Sequence, residues 1–196
     1  TGASDIDSGD TLAISNVSPL PAGVSLVGTT LTVDPSHASF QDLALNATRD
    51  IVVSYDVIDG NGGVTAQTAT ITITGTNDAP TVSAALSAAA DEDAAVVSLD
   101  LLAGASDIDS GDSLSIANVS ALPAGVSLVG TTLTVDPSHP SFQNLALNAT
   151  RDIVVTYNVI DGKGGVTAQT ATITITGTND APTVSAALSA AADEDA

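Results

Sequence analysis

Gly75-Thr76-Asn77-Asp78-Ala79-Pro80 returns letter for letter as Gly177-Thr178-Asn179-Asp180-Ala181-Pro182, and the rest of the chain falls into place between the two copies. Each copy marks a joint. Upstream, residues 68–74 and 170–176 alternate Ile and Ala with Thr, the pattern of a strand with one half-buried face. Downstream, Pro80 cannot donate a ladder hydrogen bond and biases Ala79 toward an extended conformation, so the sheet is expected to stop and the chain to run on straight. Asn77 and Asp78 then lie between two domains. Such an amide and carboxylate suit either a hard cation that gathers oxygens from several segments or an ordinary Asx turn ahead of a proline.

The joints set the frame of a repeat. Residues 1–94 align with 103–196 at an offset of 102 without a gap, and ten of these 94 pairs differ. A unit of this length exceeds a solenoid turn and fits a domain that folds alone. The organisation expected is an incomplete N-terminal repeat at 1–78 that lacks its first strands, a complete repeat at 79–180, and the start of a third at 181–196. The piece missing from the first repeat corresponds to residues 95–102, Ala-Val-Val-Ser-Leu-Asp-Leu-Leu, a core strand by its pattern. The C-terminal tail of another molecule is therefore a candidate to complement that edge.

Composition narrows the class. There is no Cys, Met or Trp and only 2% aromatic residues, so the core must be Val, Ile, Leu and Ala around Phe40, Tyr55, Phe142 and Tyr157. No disulfide can staple it, and no stretch has the roughly 18–20 apolar residues of a helical membrane span, so membrane insertion is not expected. Charge is the strongest signal: 23 acidic against 3 basic residues, a formal net charge of −20. Nucleic acid is excluded as a partner because phosphate binding needs the Lys and Arg that are scarce here. The acids are clustered, which favours divalent cations over a merely solvated surface.

In the complete repeat, residues 81–86 form the first expected strand, 87–93 a small-residue crossover, 96–102 the second strand and 104–113 an acidic loop. Residues 114–119 alternate as a third strand. Residues 126–129 and 132–135 follow as a hairpin joined by Gly130-Thr131, and 137–148 as a crossover in which Phe142, Leu145 and Leu147 plug one end of the core. Residues 152–161 give the clearest strand, with Ile153, Val155, Tyr157 and Val159 on one face. A tight turn at 162–165 leads to the last strand, 166–176. About seven short strands with Gly/Pro turns and no helical period indicate an all-β fold, an antiparallel sandwich of immunoglobulin type.

Asp107-Ile108-Asp109 puts two carboxylates on one side of an extended segment, and Asp112 follows a Gly that lets the loop turn back. Three carboxylates this close repel unless a cation sits among them. The spacing is not that of an EF-hand, which needs Gly at loop position six and a closing Glu at twelve. Any site must therefore draw on distant segments: the acidic loop, Asp91-Glu92-Asp93, Asp161 and the arriving Asn77 and Asp78, with the two ends of the sandwich free to form separate sites. The copies supply a control, since Asp42 becomes Asn144 and Asp56 becomes Asn158 while every clustered acid is kept. Asn61 becomes Lys163 at a turn tip, as simple solvent exposure would allow.

Taken in order, Asp-Glu-Asp, Leu-Leu-Ala-Gly-Ala-Ser-Asp-Ile-Asp-Ser-Gly-Asp, Val-Asp-Pro-Ser and Gly-Thr-Asn-Asp-Ala-Pro resemble the cadherin-like and VCBS-type repeats in the extender region of giant bacterial RTX adhesins. The strand, Asp-Gly-x-Gly-Gly turn, Thr-rich strand and Asn-Asp-Ala-Pro also resemble the close of a cadherin repeat. The resemblance implies tandem immunoglobulin/cadherin-like antiparallel β-sandwiches, secreted to the bacterial cell surface, that bind Ca2+ within and between domains and stiffen against neighbouring repeats of the same chain. The metal ligands it implies are Glu92, Asp93, Asp107, Asp109, Asp112, Asp161, Asn179 and Asp180. The matching positions elsewhere are Asp5, Asp7, Asp10, Asp59, Asn77, Asp78 and Glu194.

The function expected is mechanical: a calcium-stiffened spacer that projects a binding tip from the cell. The rival is a ligand-binding module in its own right, for glycans or for ice through the Thr row at residues 70–74, although one alternating strand with Thr outward is ordinary β chemistry. Catalysis is not expected. A glycosidase pairs its carboxylates with aromatic sugar platforms that two Phe and two Tyr cannot supply, and His37 and His139 sit in crossovers with no nucleophile pattern around them.

Overall fold

The computed structural model describes residues 2–191 and residue 194. The first repeat holds β1 (Ala13–Ser15), β2 (Val24–Val27), β3 (Thr30–Val33), β4 (Thr48–Ile58) and β5 (Val64–Thr74), with a short 3-10 turn at Ala38–Phe40. Then come β6 (Thr81–Val82), β7 (Leu86–Asp91), β8 (Val97–Asp100), β9 (Ala105–Ser106), β10 (Ser115–Ala117), β11 (Val126–Val129), β12 (Thr132–Val135), β13 (Thr150–Ile160) and β14 (Val166–Thr176). No α-helix occurs among the described residues. The fold is all-β, and the chain divides into two compact units, one of 1–84, 104–118 and 157–169, the other of 85–103, 119–156 and 170–196.

In the first unit β4 is the centre of an antiparallel sheet ordered β1-β4-β5, with register from Thr48↔Thr74 to Ile58↔Val64. β2 and β3 form a separate hairpin, Val24↔Val33 to Val27↔Thr30. Alternation on these strands turns Ile51 and Val53 inward, where they pack with Phe40, Leu43 and Ile73 beneath partly buried Leu31, Val33 and Ile71. The unit also takes in β6 paired with β9, and β10 paired with the end of β13 at Ser115↔Ile160. These bring residues 104–118 and 157–169 together with the joint at 75–80.

The second unit carries the more completely buried core. Leu133, Val135, Phe142, Val155, Ala171, Ile173 and Ile175 are all fully buried. β8 covers the edge of the β11–β12 hairpin, pairing Val97↔Val135 to Asp100↔Thr132. The Arg151 guanidinium lies 5.3 Å from the centre of the Phe142 ring and closes that side of the core. The same letters are less buried in the first repeat: Leu31 and Val33 are only half-buried, because no strand among the described residues covers the outer edge of β3 as β8 covers β12.

Three details depart from the sequence reading. The expected crossover at 87–93 is instead mostly strand: β7 runs parallel to β14 over six pairs, Ala171↔Leu86 to Thr176↔Asp91. Leu86, Ala88 and Ala90 face inward along it and Ser87, Ala89 and Asp91 outward, an alternation that Ala disguises because its strand propensity is low. β9 lies inside the expected acidic loop, held by β6. Leu147 is 60% exposed and plugs nothing, whereas Phe142 is fully buried and Leu145 half-buried.

Candidate metal centre

The acidic loop after β9 is shaped by its own carboxylates. Asp107 Oδ1 accepts the amide of Asp109 at 2.9 Å, an Asx turn, and the Asp112 amide donates to the Asp109 carbonyl at 3.3 Å. One carboxylate oxygen from each of Asp107, Asp109 and Asp112 lies within 4.8 Å of the others. Asp109 is 4% exposed and the Asp112 side chain is fully covered. The loop is tied to the first repeat through the Ser110 amide, which donates to the Asp42 carbonyl at 3.1 Å.

The joint closes over this loop from the other side. The backbone amide of Asp78 donates to Asp109 Oδ2 at 2.9 Å, and Asn77 Nδ2 donates to Asp161 Oδ2 at 2.7 Å. Asp161 ends the run from β13 and caps the next turn: its Oδ1 accepts the amides of Lys163, Gly164 and Gly165 at 2.6, 3.0 and 3.0 Å. The Asn77 amide and these turn amides hold its carboxyl below the usual carboxylate range against the opposing effect of burial. Gly165 has to be glycine, since a Cβ there would run into Asp161 Oδ2 and the Ala79 backbone. Thr167 Oγ1 adds a hydrogen bond to the Pro80 carbonyl.

Four oxygens of this group are buried with no hydrogen-bond partner: Asn77 Oδ1, Asp107 Oδ2, Asp109 Oδ1 and Asp112 Oδ2. Buried carboxylate oxygens left unpaired are costly, and hard oxygen donors gathered from two separate segments, the joint and the acidic loop, are the donor type a divalent cation such as calcium requires. Lys163 is exposed at its turn tip, as expected from the sequence, but its side chain is also engaged with the acidic loop. Its ammonium donates to Asp112 Oδ1, and that bond, with attraction from Asp109 and Asp161, raises it above its usual range.

Glu92 and Asp93 do not join this group. They lie in the second unit, beside the second joint, where Glu92 is fully buried at the end of β7. Glu92 Oε1 accepts the Thr178 amide at 2.8 Å, Asp93 Oδ2 accepts the Thr178 hydroxyl at 2.6 Å, and Gln143 Nε2 donates to the Glu92 carbonyl at 2.8 Å. Glu92 Oε2 is buried without a partner. Asn179 and Asp180 are exposed next to it, Asn179 Nδ2 donating to the Asp180 carbonyl at 3.3 Å, and Glu194 is exposed. The sequence reading placed no ligand or ion-pair role on Lys163, Thr178 or Gln143. A basic residue replacing Asn61 within a turn between acidic loops was the available signal for the first; the other two are ordinary polar residues.

In the first repeat Asp5, Asp10 and Asp59 form the other carboxylate triplet, again within 4.8 Å, and Asp7 stays outside it, exposed, donating its amide to Asp5 Oδ1. Asp59 repeats the turn-capping of Asp161, with its carboxyl lowered first by the Asn61 amide. Asn61 Nδ2 donates to Asp10 Oδ1 at 2.8 Å. His37 Nδ1 accepts the Ser39 amide at 3.2 Å at the start of the 3-10 turn, a capping arrangement that His139 repeats with Ser141.

Comparisons with known proteins fit this architecture. The chain is similar over 89% of its length to human mucin-like protocadherin EC1-2, covering 87% of that structure at 14% identity and a TM-score of 0.54. It is similar over 85% of its length to human CDH23 EC21-23, covering 57% of it at 13% identity and a TM-score of 0.50. An endo-fucoidan hydrolase of glycoside hydrolase family 107 aligns with 24% of its own length at 20% identity and a TM-score of 0.39, too loose to bear on catalysis. No curated protein matches the sequence. Residues 76–176, from the joint through the end of β14, match the cadherin-like domain family. This chain belongs to the family of cadherin-like domains.

Proposed function

We propose that the chain is a calcium-stiffened spacer of a bacterial surface adhesin, secreted and built from tandem repeats whose joints are locked by Ca2+. The observation that carries this reading is the set of buried, partnerless oxygens on Asn77, Asp107, Asp109 and Asp112 where the first joint meets the acidic loop. Asp107, Asp109, Asp112 and Asn77 would hold the ion at the first joint, with Asp78 and Asp161 beside them. Glu92, Asp93, Asn179 and Asp180 would serve the second, and Asp5, Asp10 and Asp59 the first repeat's loop. Bound calcium supplies the positive charge that lets these carboxylates stay close. The chain's own residues do the rest: Asp161 fixes the turn, the Asp78 amide orients Asp109, and Thr178 orients Glu92.

Support for a spacer over a recognition module comes from the Thr row. The row differs between the copies: Thr70, Thr72 and Thr74 are exposed, with Thr72 Oγ1 donating to Asp50 at 2.6 Å, whereas Thr172, Thr174 and Thr176 are half-buried and Thr174 Oγ1 donates to Asp152 at 2.7 Å, so the row is not a platform repeated from unit to unit. Adhesion and structural support are the roles of the cadherin-like family. Thermal unfolding in EDTA, calcium and magnesium, paired with small-angle scattering, tests the proposal. Calcium is expected to raise Tm and lengthen the particle, and magnesium, which holds its waters more tightly, to do less. Superimposable melting and scattering curves in EDTA and calcium refute it.

A further inference from the structure

The chain's only lysine sits in the acidic group, and the corresponding residue of the first repeat is Asn61. Its backbone is anchored, because the Lys163 amide donates to Asp161 Oδ1 at 2.6 Å, so the side chain departs from a fixed turn. The ammonium lies on Asp112 Oδ1, yet the Lys163 side chain is 36% exposed while that of Asp112 is fully covered. One ammonium does not satisfy the group: Asp112 Oδ2, Asp109 Oδ1 and Asp107 Oδ2 keep no partner. The flexible four-carbon stem has a path to solvent, whereas Asn61, at the same place, reaches Asp10 only with a neutral amide.

Building on the calcium reading, we infer that Lys163 is a tethered competitor cation, which ties Asp112 in place when no divalent ion is present and lowers the affinity of the group for calcium. The two effects have opposite signs. Replacing Lys163 by Asn removes a favourable pair from the ion-free chain and removes a repelling charge from the ion-bound one. An ion pair with one half-exposed partner, given the strength of a surface pair, corresponds to about a fivefold weakening of affinity when it must be broken on binding.

The test uses the full chain, freed of metal with EDTA, and titrates calcium chloride calorimetrically into wild type, Lys163→Asn and Lys163→Arg, each also in the Asp109→Asn background. Urea midpoints in EDTA are measured alongside. The expected result is about fivefold tighter calcium binding by Lys163→Asn with a lower urea midpoint in EDTA, wild-type affinity for Lys163→Arg, and loss of the shift in the Asp109→Asn background. Unchanged affinity in Lys163→Asn overturns the inference, as does tightening in both Lys163 variants. Absence of calcium uptake by every protein overturns the calcium reading and the role of Lys163 with it, an outcome plainly different from uptake that ignores residue 163.

Discussion

Asp109→Asn separates a carboxylate that is there for a cation from one that is there for packing. Asp109 is 4% exposed, uses Oδ2 to accept the Asp78 amide at 2.9 Å, and sits within 4.8 Å of both Asp107 and Asp112. Two like charges at that separation repel by about 3 kcal/mol at an effective dielectric constant of about 20, before salt screens them. Asn relieves that repulsion and keeps an oxygen for the amide, weakening that hydrogen bond by about 1 kcal/mol. In EDTA the variant is therefore expected to be as stable as wild type, or about 1–2 kcal/mol more stable after screening. In calcium the order reverses. Wild type gains about 2.7 kcal/mol per site at a hundredfold excess over Kd, on the order of 10 °C in Tm for a domain of this size, and the variant forgoes that gain at this site. Urea and thermal unfolding of both proteins in the two conditions measure the reversal. Equal destabilisation of the variant with and without calcium would show that Asp109 serves packing alone and refute the reasoning.

Leu133→Ala is expected to cost about 2–5 kcal/mol, as for other fully buried leucines, and Leu31→Ala clearly less because Leu31 is only half-buried; urea midpoints compare them. Asp161 has a folded-state pKa below its ordinary 3.8, so its contribution is present above about pH 4 and drains away as pH falls toward the folded value. Asp161→Asn should flatten that part of the acid limb below about pH 4, followed by urea unfolding, and an unchanged limb would contradict it.

The parts of the fold legible in the sequence are those where alternation is loud. Ile153, Val155, Tyr157 and Val159 mark the buried face of β13, and the paired Val-x-Leu-Val and Thr-Leu-x-Val runs mark the β11–β12 hairpin. β7 was illegible because Ala88, Ala89 and Ala90 carry no hydrophobic contrast, and only the neighbouring β14 gives them a register. At the candidate site the clustered acids were visible, but not which end of the repeat each reaches. Glu92 stands at the second joint because β7 runs parallel to β14 and ends where β14 ends, a tertiary fact with no local signature. The ammonium of Lys163 on Asp112 closes a gap of 51 residues, beyond any pattern of spacing.

The parallel pairing of β7 with β14 has a mechanical consequence. β7 lies at the entry of the repeat and β14 at its exit, so a pull on the two ends drives these adjacent strands in opposite directions along their common axis. Force then falls on the six registered pairs from Leu86–Ala171 to Asp91–Thr176 in shear, all at once, and not one after another as when a hairpin is peeled open. A protein tugged by flow or by a moving surface would resist rupture through that seam, and the residue that finishes it is Glu92, whose amide bonds the Thr176 carbonyl at 2.9 Å.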